Sequence, residues 1–206
     1  MYAEMLAEKM VPEGKQQEYA NTLRVQADRL SHLVENVLQF AKLERGSDKA
    51  LSETVSVTEL IDRFSARLHE RSNEADTKLS IDIADSVKNK QFTTQPANVE
   101  QVLFNLVDNA GKYAKPAKKD LIELTCREKG NSIQFCVRDY GPGIDAKYRK
   151  RMFQPFSKSD QDAANTAPGV GLGLALCRRM AKSLGGRLYV EDCDEGAMVV
   201  LEIPNS

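Results

Sequence analysis

Asn105 and Asn109 stand four residues apart in Asn105-Leu106-Val107-Asp108-Asn109-Ala110-Gly111-Lys112-Tyr113. On a helix that spacing puts both amides on one face with Lys112 close by, so two neutral oxygens and an ammonium can converge on a metal–phosphate group. Taken alone, the segment fits a solvated helix face equally well. A second segment, Asp139-Tyr140-Gly141-Pro142-Gly143-Ile144, follows an alternating apolar run. A carboxylate at a strand end can accept from an exocyclic amine, and glycines flanking a proline let the backbone approach a flat ligand closely. That combination suits adenine, although Gly-Pro-Gly by itself is also an ordinary turn. Third comes Phe153-Gln154-Pro155-Phe156, followed by Ser157 and Lys158. The fourth, Gly169-Val170-Gly171-Leu172-Gly173-Leu174, opens a helical pattern with small residues that bare the first N–H groups, where the helix dipole favours an anion. It does not follow a strand, as a dinucleotide-binding glycine motif does, and no lysine and hydroxyl follow it, as a P-loop requires.

These side chains need a helix beneath the first segment, a strand ending at Asp139 and a helix start after the fourth. Pro96 sits just inside the start of a helix carrying Val99, Val102, Leu103, Leu106 and Val107, which continues to about Tyr113. Leu79, Ile81 and Ile83 alternate strictly and mark a strand over 78–84. Strands near 120–127 and 132–139 are joined by Glu128-Lys129-Gly130-Asn131, a hairpin turn. A helix from about 170 to 184 and strands near 187–192 and 197–203 close the chain. Before them, Val55 and Val57 alternate as in a short strand, and Thr58 with Asp62 nearby opens a helix to about Asn73 with Leu60, Ile61, Phe64 and Leu68 on one face. This order predicts an α/β (α+β) sandwich over 47–206, with helices layered on one mixed sheet.

The polar break Gly46-Ser47-Asp48-Lys49 separates that domain from a helical hairpin over 1–46. Residues 1–10 read as the tail of a helix, Val11-Pro12-Glu13-Gly14 as a reversal, and about 15–45 as a second helix. In the second helix Leu23, Ala27, Leu30, Val34, Val37 and Ala41 recur at alternating four- and three-residue steps, widened by Leu33, Leu38 and Phe40. A stripe that broad suits a four-helix bundle, of which one hairpin supplies half, so a second copy is expected. The 29 basic and 30 acidic residues nearly cancel, which excludes polyanion binding as the default and predicts no nucleic-acid partner. Cys126, Cys136, Cys177 and Cys193 lie scattered without metal-ligand spacing, as buried thiols of a reducing cytosol do. No apolar run approaches the roughly 18 residues of a membrane span. A cytoplasmic chain without direct membrane contact is expected, whether or not its parent protein is anchored in an inner membrane.

Taken in order, the four segments resemble the N, G1, F and G2 boxes of the two-component sensor histidine kinases, whose Bergerat-type ATP-binding fold is shared with gyrase, heat-shock chaperone and mismatch-repair ATPases. The stretch from Arg29 through Leu38 to Leu43-Glu44-Arg45-Gly46 resembles the second helix of that family's dimerisation and phosphotransfer domain, and the closing Gly185-Gly186 to Leu201-Glu202-Ile203-Pro204 also matches. The resemblance implies ATP and Mg2+ as cofactors. Asn109 would hold Mg2+ with Asn105 in support, Lys112 would contact phosphate and Tyr113 would pack near the nucleoside. Asp139 would bind the adenine amine beside Gly141, Gly143 and Ile144. Gly169, Gly171, Leu172 and Gly173 would flank a lid over 157–168 and meet the phosphates, with Lys158 a further phosphate candidate.

In the superfamily's ATPases a glutamate that activates water stands where this chain has Asn105, and an amide cannot serve as that base. Fast hydrolysis is therefore disfavoured, and with it a hydrolytic clamp. The implied activity is protein-histidine kinase, with relay to the receiver domain of a response regulator. The family's phosphoacceptor lies in an H-E-x-x-x-P box, which neither histidine fits: Leu33 follows His32, and His69-Glu70 has Glu74 where proline is required. The acceptor is expected upstream of Met1, so this chain alone is not expected to autophosphorylate. With half the bundle core absent, a weak dimer or monomer is expected where the intact protein forms a homodimer. Gly111 inside the N box, Val170 in place of a hydroxyl residue and Gln95 in place of an aspartate depart from the family pattern. A degenerate nucleotide-binding module that dimerises and signals without phosphotransfer is the alternative.

Overall fold

A computed structural model describes residues 14–24, 27, 30, 34, 38, 51–114, 119–157 and 171–205. Residues 16–24 are helical, as are 27, 30, 34 and 38, in agreement with the second hairpin helix. Leu30, Val34 and Leu38 lie one turn apart and are 62%, 47% and 56% exposed, so this apolar row faces solvent in the single chain. The expected helix over 1–10, the reversal before Gly14 and the end of the second helix lie outside the described residues.

The larger domain opens with β1 (Glu53–Ser56) and α1 (Val57–Glu74). The alternation of Val55 and Val57 and the Thr58 start misplaced this boundary by a residue or two. Ser56 is the N-cap: its hydroxyl accepts from the Glu59 N–H at 3.2 Å while the Ser56 N–H donates to the Glu59 carboxylate at 2.9 Å. That reciprocal box makes Val57 the first helical residue. The Thr58 hydroxyl instead donates to the Lys88 carbonyl at 2.7 Å.

After α1 come β2 (Lys78–Ile83), β3 (Gln91–Thr94) and α2 (Pro96–Ala114). The hairpin β4 (Leu121–Lys129) and β5 (Ser132–Asp139) turns through Gly130 at φ +59°, a value glycine adopts at little cost. A one-turn helix α3 (Ala146–Arg149), the helix α4 (Gly173–Ser183), β6 (Arg187–Glu191) and β7 (Ala197–Pro204) complete it. The main sheet has the order β2-β4-β5-β7-β6, parallel between β2 and β4 and antiparallel elsewhere, so it is mixed as expected. A separate antiparallel pair, β1 with β3, adds a two-stranded sheet. No described helix is long and apolar enough to cross a membrane.

Strand alternation divides the main sheet into two faces. On β4, Ile122, Leu124 and Cys126 stand opposite Asp139, Val137 and Phe135 of β5, while Phe135 and Ile133 stand opposite Leu201 and Ile203 of β7, and all of these are buried. Against this face pack Leu60, Ile61, Phe64 and Leu68 of α1, Val99, Val102, Leu103, Leu106 and Val107 of α2, and Leu176, Cys177 and Met180 of α4. On the opposite face Gln134 is fully buried, donating to the Tyr189 hydroxyl at 2.8 Å and to Glu202 at 2.7 Å. Buried amides stay stable only when paired in this way.

Gly111, a poor helix former, is explained by packing. A Cβ there would lie 2.7 Å from the Cβ of Ala75, just past the end of α1. Alanine at 111 gains about 1 kcal/mol of helix propensity but must push two elements apart, which costs roughly 1–3 kcal/mol in a filled core. We predict that Gly111→Ala is net destabilising in urea denaturation and that Gly111→Ala with Ala75→Gly recovers most of the loss. A stabilised single variant would contradict the packing account.

Candidate functional site

Burial of its apolar stripe sets the rotation of α2 and leaves Asn105, Asn109 and Lys112 along one edge. Asn105 is 9% exposed, and its Nδ2 has no hydrogen-bond partner among the described residues. It lies beside Cys177 of α4, whose thiol is pushed up to about 12 by burial and sits 4.0 Å from the Val102 carbonyl. Such packing holds α4 against the amide row. Asn109, one turn further on, is half-buried, and Lys112 is exposed.

At the C-terminal end of β5, Asp139 continues the core-facing row of Ile133, Phe135 and Val137, which is why it is only 8% exposed. Its Oδ1 accepts from the Gly141 N–H at 2.8 Å, and the Ala197 N–H also donates to the carboxylate. Burial raises its pKa above the ordinary carboxylate value, and those N–H groups and Arg138 offset this only in part. No salt bridge reaches it among the described residues. The next side chain, Tyr140, points to the opposite face, where its hydroxyl donates to Glu123 at 2.7 Å and Lys119 and Arg138 lie over its ring at 4.3 and 4.8 Å.

The segment after Asp139 touches two other elements through backbone alone. A Cβ on Gly141 would lie 2.5 Å from the Tyr113 carbonyl oxygen, which puts this turn against the end of α2. Gly143, at φ +81°, lies against Gly196, where a Cβ would fall 1.8 Å from the Asp139 carbonyl oxygen. Gly196 belongs to the β6–β7 turn and was not singled out from the sequence. Its positive φ of +75° and its contact are both set by a partner distant in the chain.

Helix α4 starts at Gly173 and not near 170, because Gly171 at φ +73° cannot belong to a right-handed helix. Among the described residues no side-chain hydrogen bond caps α4, and a Cβ on Gly173 would meet no atom within 4 Å. Leu172 is buried. Gly171 packs on the Ser157 backbone, where a Cβ would lie 2.5 Å from the carbonyl oxygen. Phe153 and Pro155 flank α4 farther along, beside Ala175, Arg178, Arg179 and Lys182. Lys158 and Gly169 lie outside the described residues.

Lys112 is not free. Its ammonium pairs with Asp108 Oδ2, and Arg71 of α1 donates from Nε to Asp108 Oδ1 at 2.8 Å. Burial alone would raise the Asp108 pKa, but the charges of Lys112 and Arg71 prevail and hold it below the usual carboxylate value.

The residues present fit a magnesium nucleotide. Asn105 and Asn109 offer hard neutral oxygens, with phosphate and water able to supply the rest of an octahedral shell. A buried carboxylate suits an exocyclic amine, and an uncapped helix start suits an anion. Among the described residues no group of three His, Cys, Asp or Glu side chains could hold a metal by itself.

Residues 94–206 match the family described as histidine kinase-, DNA gyrase B-, and HSP90-like ATPase, and residues 1–46 match the His Kinase A (phospho-acceptor) domain. The signal transduction histidine-protein kinase/phosphatase MprB of Mycolicibacterium vanbaalenii is 31% identical over 186 residues, 90% of this chain and 36% of that protein. The sensor protein SrrB of Staphylococcus aureus is 26% identical over 180 residues, 87% of this chain and 30% of that protein. The chain thus spans about a third of the length of these curated relatives. Full-length ShkA, solved in complex with AMPPNP, superposes with a TM-score of 0.74 at 26% identity, covering 98% of this chain and 42% of that one.

Gly130 and Gly196 both have positive φ, but a Cβ on Gly130 would meet nothing within 4 Å. Gly130→Ala is expected to cost about 1 kcal/mol of backbone strain and to leave adenosine binding unchanged. Gly196→Ala is expected to cost roughly 3 kcal/mol or more and to abolish adenosine binding by displacing Asp139. Denaturation and calorimetric titration of both variants check this; equal effects would contradict the bracing role of Gly196.

Proposed function

The chain belongs to the histidine kinase-, DNA gyrase B-, and HSP90-like ATPase family, among its two-component sensor histidine kinases, and from that premise we propose that its 47–206 domain binds Mg-ATP and transfers the γ-phosphoryl group to a histidine. The observation that carries the proposal is Asp139, a buried carboxylate with no ion pair among the described residues, at the strand end that touches the amide-bearing helix. The Gly141 and Ala197 N–H groups offset its burial only in part, and a carboxylate has acceptor capacity beyond them for a ligand amine.

Asp139 accepts from the adenine amine, and Gly141, Gly143 and Ile144 let the backbone close on the base. Asn109 and Asn105 turn their amide oxygens toward the cation, and the N–H groups at Gly173 receive phosphate oxygens. Mg2+ when bound neutralises phosphate charge and fixes the geometry of the chain. Catalysis then rests on positioning and electrostatics, as phosphoryl transfer requires. Asn105 cannot deprotonate water, so the phosphoryl group is kept for a side-chain acceptor.

That acceptor is neither histidine of this chain. His69 is exposed on α1 and belongs to the nucleotide-binding domain, with Glu74 at the position of the expected proline. His32 lies outside the described residues. The acceptor belongs to a helical phosphotransfer domain of the kind that residues 1–46 match, and the final recipient is an aspartate in a response-regulator receiver domain. The exposed row of Leu30, Val34 and Leu38 supports pairing of that hairpin with a second copy in the intact protein.

Calorimetric titration with AMPPNP is expected to show micromolar binding that strengthens with Mg2+. Asn109→Ala should remove the magnesium-dependent gain, and Asp139→Ala should remove binding altogether. Radiolabelled ATP should phosphorylate an added histidine phosphotransfer domain equally well with His32→Ala or His69→Ala. Binding without any transfer would favour the signalling module; no binding by folded protein would overturn the proposal.

A further inference from the structure

Asp108 lies between two cations, and they use different oxygens. Arg71 donates from Nε at 2.8 Å and from Nη2 to Oδ1, while Lys112 takes Oδ2. The Asp108 side chain is only 17% exposed, so this is not a loose surface pair. Arg71 also lies over the Phe104 ring at 5.8 Å and pairs with Glu74, which holds its guanidinium against the side of α2 away from Asn105 and Asn109.

We propose that Arg71 is a positioning residue for the phosphate end of the nucleotide, acting through Asp108 to release Lys112. This rests on the ATP-binding function proposed above. In the observed arrangement the ammonium of Lys112 is held by Asp108, so it must leave Oδ2, or share it, before it can meet a phosphate. Without Arg71 that departure would strand a largely buried carboxylate next to Asn109 and near the incoming negative charge. An uncompensated buried charge is strongly unfavourable. With Arg71 fixed on Oδ1, Asp108 keeps one cation when Lys112 swings away. Two oxygens and two cations thus let one side chain hold Lys112 ready and let it go. Arg71 touches no nucleotide in this scheme.

The test is a pair of single variants and their combination, Arg71→Gln, Asp108→Asn and Arg71→Gln/Asp108→Asn, titrated with Mg-ATP and with adenosine. Arg71→Gln is expected to weaken Mg-ATP roughly tenfold, the loss of one charge-assisted contact, and to leave adenosine unchanged. The double variant is expected to return to within about twofold of the unaltered chain, because no carboxylate remains to hold Lys112. Asp108→Asn alone, with Lys112 released, should bind Mg-ATP at least as tightly as the unaltered chain, which tests the proposal even if Arg71→Gln fails to fold. A purely structural role for Arg71 would weaken adenosine as well and would not be rescued by Asp108→Asn, and either result would overturn the proposal. If the unaltered chain binds both ligands and Arg71→Gln binds Mg-ATP normally, only the role of Arg71 falls. If it binds neither, the ATP-binding function falls with it.

Discussion

Helix α2 must bury Val99, Val102, Leu103, Leu106 and Val107 between the sheet and its neighbouring helices, and that single requirement fixes its rotation about its own axis. Each of these side chains contributes on the order of 2 kcal/mol by leaving water, so turning the helix to bury an amide in place of a leucine is heavily disfavoured. Once the rotation is set, the 3.6-residue repeat puts Asn105, Asn109 and Lys112 along the edge next to α4 and Asp108 toward α1. The polar groups of the site are therefore where the core leaves them. Asn105 keeps its buried Nδ2 beside the Cys177 thiol, without a hydrogen-bond partner within bonding distance among the described residues.

The corner around Asp139 depends on close backbone contacts. Asp139 sits at the end of a buried row because β5 keeps its alternation to its last residue, and the chain must then leave the sheet without covering the carboxylate. It can do so because Gly141 meets the Tyr113 carbonyl and Gly196 meets the Asp139 carbonyl, contacts closer than any Cβ allows. Gly111 does the same at the join of α1 and α2. Three glycines from distant segments thus let α1 and α2, the end of α2 and the turn after β5, and that turn and the β6–β7 turn approach closely. A residue with a side chain at any of them would separate parts that the chemistry needs together.

Much of this was legible from periodicity. The apolar spacing of α2, the alternation in β2 and the glycine turn between β4 and β5 are short-range patterns, and each of the three has its counterpart in the structure. The placement of the amide pair on one helix edge and of Asp139 at a strand end was legible because it follows from helical spacing and from strand alternation. Other features depend on contacts that no local pattern records. β3 carries a single buried apolar residue, Phe92, and is a strand because β1 pairs with it. Gly196 is required by Asp139, which lies on another strand. Ser56 and Glu59 did form a recognisable capping box, but the alternation of Val55 and Val57 obscured it, since two rules competed over the same four residues. Lys112 read as a free ammonium although Asp108 stands four residues before it on the same helix; only the grip of Arg71 on Asp108 needs α1 packed against α2.

The central claim is that one opening, between the end of β5, the amide edge of α2 and the start of α4, receives the nucleotide. Amide nitrogen–proton NMR spectra recorded while AMPPNP and Mg2+ are added test it most directly. The account predicts the largest shifts at the backbone amides of Gly141, Gly143 and Gly173 and at the side-chain amides of Asn105 and Asn109, with the Gln134 side chain on the far face of the sheet unmoved. Shifts centred on that far face, with the two asparagines unaffected, would contradict it.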